Sequence, residues 1–189
     1  MKKNNLDNAK VAILALDGVE QSELMGPRDA LMAAGADVKV ISLKRGNIKA
    51  WQDGDWGINI PVDATLDEVT SEEFDALVLP GGTLNGDKLR QEQAAISFTR
   101  EFIDSGKTVG AICHGVQILI EAKAVEGRTL TSALAIRTDM ENAGANWVNQ
   151  AAATDKGIVT SRMPSDIPAF VGKVKEEILE GRHKRRKAA

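Results

Sequence analysis

Short apolar runs alternate along the chain with longer segments that have helical spacing. The runs that are too short to be helices predict buried strands at 11–17, 36–43, 75–82 and 107–113. Segments with apolar residues three and four positions apart predict helices at 22–35, 93–106, 115–125 and 165–181. Weaker patterns predict further strands at 57–63, 128–133, 146–154 and 157–162. This alternation predicts an α/β fold, a flavodoxin-like three-layer α/β/α sandwich around a mostly parallel sheet.

Three polar or glycine-rich segments lie where predicted strands end. They are "DGVEQSE" (17–23), "PGGTLNGD" (80–87) and "CHG" (113–115). Ligands of open α/β sheets bind beyond the carboxyl ends of the strands. The three segments are therefore expected to meet at one site.

Composition and charge narrow the class of protein. The 189 residues suffice for one domain with a sizeable core, and a net charge of -3 gives no indication of a nucleic-acid binder. A single cysteine excludes an internal disulfide and a multi-cysteine zinc site. The start lacks the apolar core of a signal peptide, and no apolar run has the length of a membrane span. We expect a cytoplasmic protein with one domain at 10–181, a disordered segment at 1–9 and a basic, disordered tail at 182–189.

The only cysteine, Cys113, lies where a predicted strand passes directly into a helix. This arrangement is typical of a nucleophile elbow, for which Gly110 and Gly115 would leave space. The N-terminus of the following helix is expected to lower the pKa of the thiol. The alternative for any lone cysteine is a small core residue with no chemistry.

His114 follows directly and is the only histidine outside the tail, which contains His183. Any Cys/His chemistry in the domain must therefore use it. Neighbouring side chains usually diverge, so a general base at this position requires the sharp turn. The alternative is an ordinary solvent-facing or hydrogen-bonded histidine.

Two further segments supply candidate partners for the thiol. The N–H groups of Gly81 and Gly82 would face a developing oxyanion, although paired glycines are also typical of a plain turn. Glu20 and Glu23 are three residues apart, and a buried, protonated carboxyl there would donate a hydrogen bond to the sulfur. Otherwise the two glutamates form the acidic first turn that a helix dipole favours.

Four segments together resemble the PfpI intracellular protease family, in the superfamily of the parkinsonism-linked redox and deglycase protein. They are "FDALVLPGG", "GKTVGAICHGVQILI", "TDMENAG" and "WV", and the resemblance covers roughly residues 10 to 180. It implies a class I glutamine amidotransferase-like fold. It also implies Cys113 as the nucleophile, His114 as its partner and Glu23 as the acid that contacts the sulfur.

The resemblance implies roles for other positions as well. Glu20 matches a second acidic position, and the N–H groups of Gly82 and His114 match the oxyanion donors. In this branch an acidic residue from a neighbouring subunit completes the triad, and Asp87 is the matching position. A homo-oligomer, either a dimer or a hexamer, with an inter-subunit active site is therefore implied.

The implied activity is a stress-protective, cysteine-dependent glyoxalase or deglycase that needs neither a metal nor an organic cofactor. Its substrates would be methylglyoxal, glyoxal or their early adducts on proteins and nucleotides, so nucleic acid is expected only as a substrate. Two alternatives stay open: an intracellular cysteine peptidase that uses the same residues, and a non-enzymatic redox sensor or chaperone. The sequence departs from several family members at Ala133 and Leu134, where those members have an aromatic residue and then proline.

Overall fold

Strands and helices alternate along residues 5–182, the part of the chain that the computed structural model describes. The strands there are β1 Lys10–Leu14, β2 Val19–Glu20, β3 Asp37–Ser42, β4 Asn47–Gln52, β5 Asp55–Pro61, β6 Ala64–Thr65, β7 Ala76–Leu79, β8 Thr108–Ile112, β9 Thr129–Leu130, β10 Asn146–Trp147, β11 Ala152–Asp155 and β12 Ile158–Ser161. The α-helices there are α1 Gln21–Ala33, α2 Thr83–Leu89, α3 Gln93–Asp104, α4 Gln117–Glu121, α5 Arg137–Asn142 and α6 Ile167–Glu180. Single 3₁₀ turns lie at Ser71–Glu73, Cys113–Val116, Leu134–Ile136 and Pro164–Asp166.

The central sheet has seven strands in the order β11-β12-β8-β7-β1-β3-β6. Neighbouring strands are parallel except for β11, which runs antiparallel to β12. From β1 the chain passes to β3 and β6 on one side, and then returns to β7 and β8 on the other. The sheet thus changes direction between β1 and β7, where ligands of such sheets bind. The predicted α/β fold is confirmed.

Alternate residues of each strand enter two separate cores, which makes three layers. Val11 and Ile13 pack with residues of α1 and α6, whereas Ala12 and Leu14 pack with residues of α3 and α4. Side chains of a strand point alternately to opposite faces, so a strand covered on both faces must be apolar throughout. This explains why β1 and β7 appear in the sequence as apolar runs, whereas β3, which is buried only in its second half, includes charged residues.

The hairpin of β4 and β5 and the helices α2 and α5 were not predicted. The Asp53-Gly54 turn between β4 and β5 carries a sequence signal that would have indicated the hairpin, since both residues have positive φ. The predicted strand 146–154 is wrong as one element. It is two strands, of which β10 pairs with β9 and β11 joins the central sheet.

The N-terminal part of the described chain packs on the domain. Leu6 is buried, and its N–H donates to the Ala34 carbonyl at 2.8 Å. Residues 5–9 therefore differ from the disordered segment predicted at 1–9. Residues 1–4 and most of the predicted tail, 183–189, lie outside the described residues. No helix within residues 5–182 is both long enough and apolar enough to cross a membrane.

Candidate active site

Cys113 lies in a sharp turn at the carboxyl end of β8. Its φ of 59° is left-handed, a conformation that costs a non-glycine residue energy and that persists mostly at functional sites. Gly115 permits the turn, because a Cβ there would lie 2.2 Å from the Leu79 carbonyl oxygen. The backbone therefore has the elbow shape that the sequence predicts.

The elbow brings the side chains of Cys113 and His114 together. The distance between Cys113 Sγ and His114 Nδ1 is 3.3 Å, although adjacent side chains usually diverge. Burial lowers the pKa of His114, which keeps the imidazole neutral at physiological pH. A neutral imidazole at this distance can accept the proton of the thiol.

Glu23, on the first turn of α1, is fully buried and faces Cys113. Its Oε2 accepts the Gly81 N–H at 2.9 Å, and its Oε1 has no hydrogen-bond partner within residues 5–182. Burial, followed by the charge of Glu20, raises the pKa of Glu23 to about 8, and the nearby Cys113 side chain and the Gly81 N–H lower it by less. The carboxyl is therefore mainly protonated at neutral pH and can donate a proton to a substrate.

The pKa of the Cys113 thiol is raised to about 12, mainly by burial and then by the charge of Glu23. Hydrogen bonds from the N–H groups of His114 and Gly82 lower it without reversing the direction. The N–H donors near the helix N-terminus therefore act in the predicted direction, but burial outweighs them, so the prediction that the thiolate is favoured is wrong. After the elbow the chain makes one 3₁₀ turn, and α4 has only five residues, so its dipole is small. The resting sulfur is a thiol that needs a base.

The two glycines of the β7–α2 loop have different roles. Gly82, with a φ of 93°, directs its N–H towards the sulfur, and a Cβ there would lie 2.3 Å from the Gly18 carbonyl oxygen. The N–H of Gly81 donates to Glu23, so Gly81 positions the acid. The prediction that this N–H faces an oxyanion is wrong.

Asn85, which the sequence analysis missed, fixes the β7–α2 loop. Its buried side chain donates to the Pro80 and Gly81 carbonyls at 3.0 and 3.1 Å.

Glu20 caps the helix that carries the acid. Its carboxylate accepts the N–H of Glu23 at 2.9 Å and the hydroxyl of Ser22. Glutamate is uncommon at an N-cap, so this contact was not predicted. A part for Glu20 in substrate binding stays a prediction.

Asp87 is exposed on α2, the helix that passes beside His114. No hydrogen bond or ion pair joins Asp87 to His114 within the described residues of one chain. The same part of the chain contains no group of three or more His, Cys, Asp or Glu side chains arranged to hold a metal ion. One chain thus brings together Cys113, His114, Glu23 and Gly82, and leaves Asp87 apart.

Sequence and structural comparisons identify relatives of the chain. Residues 9–177 match the model of the DJ-1/PfpI family. "Protein/nucleic acid deglycase 2" of Escherichia coli (strain K12) is 44% identical over 162 residues, which are 85% of this chain and 92% of that protein. "Deglycase PfpI" of Pyrococcus furiosus is 40% identical over 162 residues, which cover 86% and 95% of the two chains. A two-domain crystal structure from Anabaena variabilis, with DJ-1/ThiJ/PfpI-like and ferritin-like domains, is 35% identical with a TM-score of 0.85; the match covers 90% of this chain and 48% of that one. The chain belongs to the DJ-1/PfpI family.

Proposed function

We propose that this protein is a cysteine-dependent deglycase and glyoxalase that converts methylglyoxal, glyoxal and their early adducts into 2-hydroxy acids. One arrangement carries the proposal: the Cys113 thiol lies between a neutral base, His114 at 3.3 Å, and a protonated acid, Glu23. Two groups whose environments push their pKa values apart are suited to acid and base roles. The deglycase names of the Escherichia coli and Pyrococcus furiosus relatives support the same reaction.

The first step is addition of the thiol to the aldehyde carbon. Cys113 Sγ forms a bond to this carbon while its proton passes to His114 Nδ1. The aldehyde oxygen takes the proton of Glu23, and the Gly82 and His114 N–H groups stabilise its developing charge. The product is a hemithioacetal beside a Glu23 carboxylate. In an adduct of an amine, Glu23 gives its proton to the amine nitrogen, and the amine leaves as the sulfur bonds to this carbon.

The second step moves two protons and leaves the total oxidation level unchanged. Glu23 removes the hydrogen on the sulfur-bearing carbon as a proton, and His114 protonates the ketone oxygen to give an enediol. Glu23 returns its proton to the second carbon, and the first hydroxyl loses its proton to His114, which leaves a thioester. Water then cleaves the thioester to lactate and the thiol. The aldehyde carbon is oxidised and the ketone carbon reduced, so no external oxidant or reductant is needed.

The raised pKa of Cys113 counts against the peptidase and the redox sensor. Cysteine peptidases depend on a thiolate paired with an imidazolium, and oxidant sensors depend on a low-pKa thiol. Burial favours the neutral thiol instead. A carbonyl substrate, by contrast, accepts the proton that Glu23 holds.

Lactate formation from methylglyoxal tests the proposal. Protein at catalytic concentration, dialysed against a chelator, should form many equivalents of lactate per chain from methylglyoxal and from methylglyoxal-treated N-acetylarginine. The same protein should release no peptides from labelled casein. Peptide release without lactate would establish the peptidase instead. A protein that forms no lactate and consumes only one equivalent of oxidant per chain would favour the redox sensor.

We further propose that the protein works as a homo-oligomer in which Asp87 of one chain orients His114 of another. Asp87 is exposed on the helix that passes beside the site, and His114 has no carboxylate partner within residues 5–182 of its own chain. An orienting carboxylate is the usual third member of such a triad.

Mixed oligomers test this shared site. The variants Cys113→Ser and Asp87→Asn should each be nearly inactive alone. When both are co-expressed in equal amounts, roughly a quarter of the wild-type activity should return if the chains pair at random as dimers, because half of the dimers are mixed and each has one complete site. A mixture that stays inactive, or full activity of Asp87→Asn alone, would exclude a shared site.

A further inference from the structure

A cavity of about 360 Å³ lies beyond the carboxyl ends of β1 and β3. Its walls come from the segment after β1, from the end of β3 and the turn into β4, and from α2 and the turn after it. None of the residues that line it is Cys113, His114, Glu23 or Gly82. Open α/β sheets bind ligands at this edge, and the volume is in the range of small-molecule sites, roughly 300–1,000 Å³. The cavity therefore has the position and the size of a second ligand site.

Ser42, the last residue of β3, places a buried hydroxyl group in the wall of this cavity. The residue is 2% exposed and lines the cavity. Its carbonyl accepts the Leu66 N–H at 3.0 Å, whereas its hydroxyl has no hydrogen-bond partner within residues 5–182. A buried hydroxyl without a partner is costly and uncommon. A ligand in the cavity would supply the missing hydrogen bond.

Two lysines from separate elements lie in the wall of the cavity. Lys44 follows β3, and Lys88 lies on the last turn of α2. Neither ammonium group forms an ion pair within the described part of the chain. Arg45 also lines the cavity, but Glu68 binds its guanidinium group at 2.6 Å. Among the lining residues, Lys44 and Lys88 are therefore the cations available to a phosphate group, for which lysine is a common partner.

Acidic and apolar side chains complete the wall. One carboxylate oxygen of Asp17 accepts the Lys49 N–H at 2.7 Å, and Glu92 forms no ion pair within residues 5–182. Two carboxylates would repel a simple anion such as sulfate, but they suit a ligand with hydroxyl groups, since acidic side chains bind the ribose in nucleotide sites. The apolar part of the wall consists of Leu16, Leu43 and Ile48. Cations, hydroxyl acceptors and apolar surface in one cavity match the phosphate, the ribose and the base of a mononucleotide.

We propose that this cavity binds a nucleoside monophosphate, as a ligand that the active-site thiol does not transform. The phosphate lies between Lys44 and Lys88, and the ribose hydroxyls donate to Asp17 and Glu92. The base packs on the apolar part of the wall and forms a hydrogen bond with the Ser42 hydroxyl. Binding there is independent of the deglycase function, because the cavity and the active site share no lining residue.

Equilibrium dialysis of the full chain with radiolabelled AMP tests this site. AMP should bind once per chain, and the double variant Lys44→Met/Lys88→Met should raise its Kd about tenfold or more. Ser42→Ala should raise the Kd roughly fivefold, the worth of one hydrogen bond. The matched control is Lys10→Met/Lys156→Met, which removes the same charge from exposed lysines at the amino ends of β1 and β12 and should leave the Kd unchanged.

Any of three results would exclude this site. The first is wild-type protein that retains no AMP at about 1 mM. The second is an equal Kd for Lys44→Met/Lys88→Met and its control, or inorganic phosphate that displaces labelled AMP as well as unlabelled AMP does. The third is loss of AMP binding after full alkylation of Cys113, which would place the ligand in the active site. Wild-type protein that binds AMP but forms no lactate from methylglyoxal would exclude the deglycase function alone and leave the nucleotide site standing.

Discussion

Replacement of Cys113 by serine should lower lactate formation from methylglyoxal by about 1,000-fold or more, because covalent catalysis depends on the nucleophile. Serine has the same shape, but its hydroxyl is a much weaker nucleophile than sulfur when only a neutral imidazole takes the proton. Serine, like cysteine, has a Cβ at the strained φ of 59°. The elbow should therefore keep its conformation in the variant. Initial rates of lactate formation measure the effect.

The variant must keep its fold for the rate to be informative. Its circular dichroism spectrum, melting temperature and oligomeric state should match those of the wild type. Wild-type rates in a correctly folded Cys113→Ser protein would show that the sulfur does not take part in the reaction. The single cysteine makes the comparison simple, because no other thiol can substitute for it.

Replacement of Glu23 by glutamine should lower activity by about 100-fold or more, since it removes the general acid and base, and should also make the protein more stable. The wild-type carboxyl is fully buried with one oxygen unpaired. Glutamine has the same shape. Its oxygen can accept the Gly81 N–H while its amide faces the sulfur.

The gain in stability should depend on pH, and its sign follows from the pKa of Glu23, which folding raises from 4.5 to about 8. Below pH 4.5 the carboxyl is protonated in both the folded and the unfolded state, so it makes no pH-dependent contribution to the free energy of unfolding. Between pH 4.5 and pH 8 the unfolded chain releases a proton that the folded chain retains, so the wild type loses stability as the pH rises. The advantage of Glu23→Gln in free energy of unfolding should therefore grow by about 3 kcal/mol between pH 5 and pH 8.

Urea unfolding at the two pH values measures this difference. Glu101→Gln, at an exposed position of α3, should show no comparable growth with pH. An advantage of Glu23→Gln that is the same at pH 5 and pH 8 would mean that the buried carboxyl is not protonated at neutral pH, and the acid role of Glu23 would have to be abandoned.

Much of the fold and part of the site could be predicted from the sequence. Buried parallel strands are apolar throughout, so β1, β7 and β8 stand out as short runs, whereas β3 alternates apolar residues with Asp37 and Lys39. Their order along the chain then places the three polar segments at one edge of the sheet. The position of Cys113 at the end of β8 was sufficient to indicate the elbow.

The electrostatics of the site could not be predicted in the same way. The pKa of Cys113 depends on how deeply the sulfur is buried and on its distance from Glu23, neither of which appears in the sequence. Gly81 and Gly82 are adjacent and chemically identical, yet only the folded loop decides which N–H faces the sulfur. Helix α2 has Gly86 and polar residues in its short sequence, so packing rather than helix propensity must hold it.

Alkylation of the single cysteine tests the central claim most directly. Iodoacetamide should react slowly, because alkylation needs the thiolate, and should add one carboxamidomethyl group per chain at completion. Mass spectrometry of the peptide that contains Cys113, the only cysteine, gives the modified fraction. We expect lactate formation to fall in proportion to that fraction and to reach zero at one group per chain. Fully alkylated, folded protein that still forms lactate at the original rate would show that Cys113 is not the nucleophile.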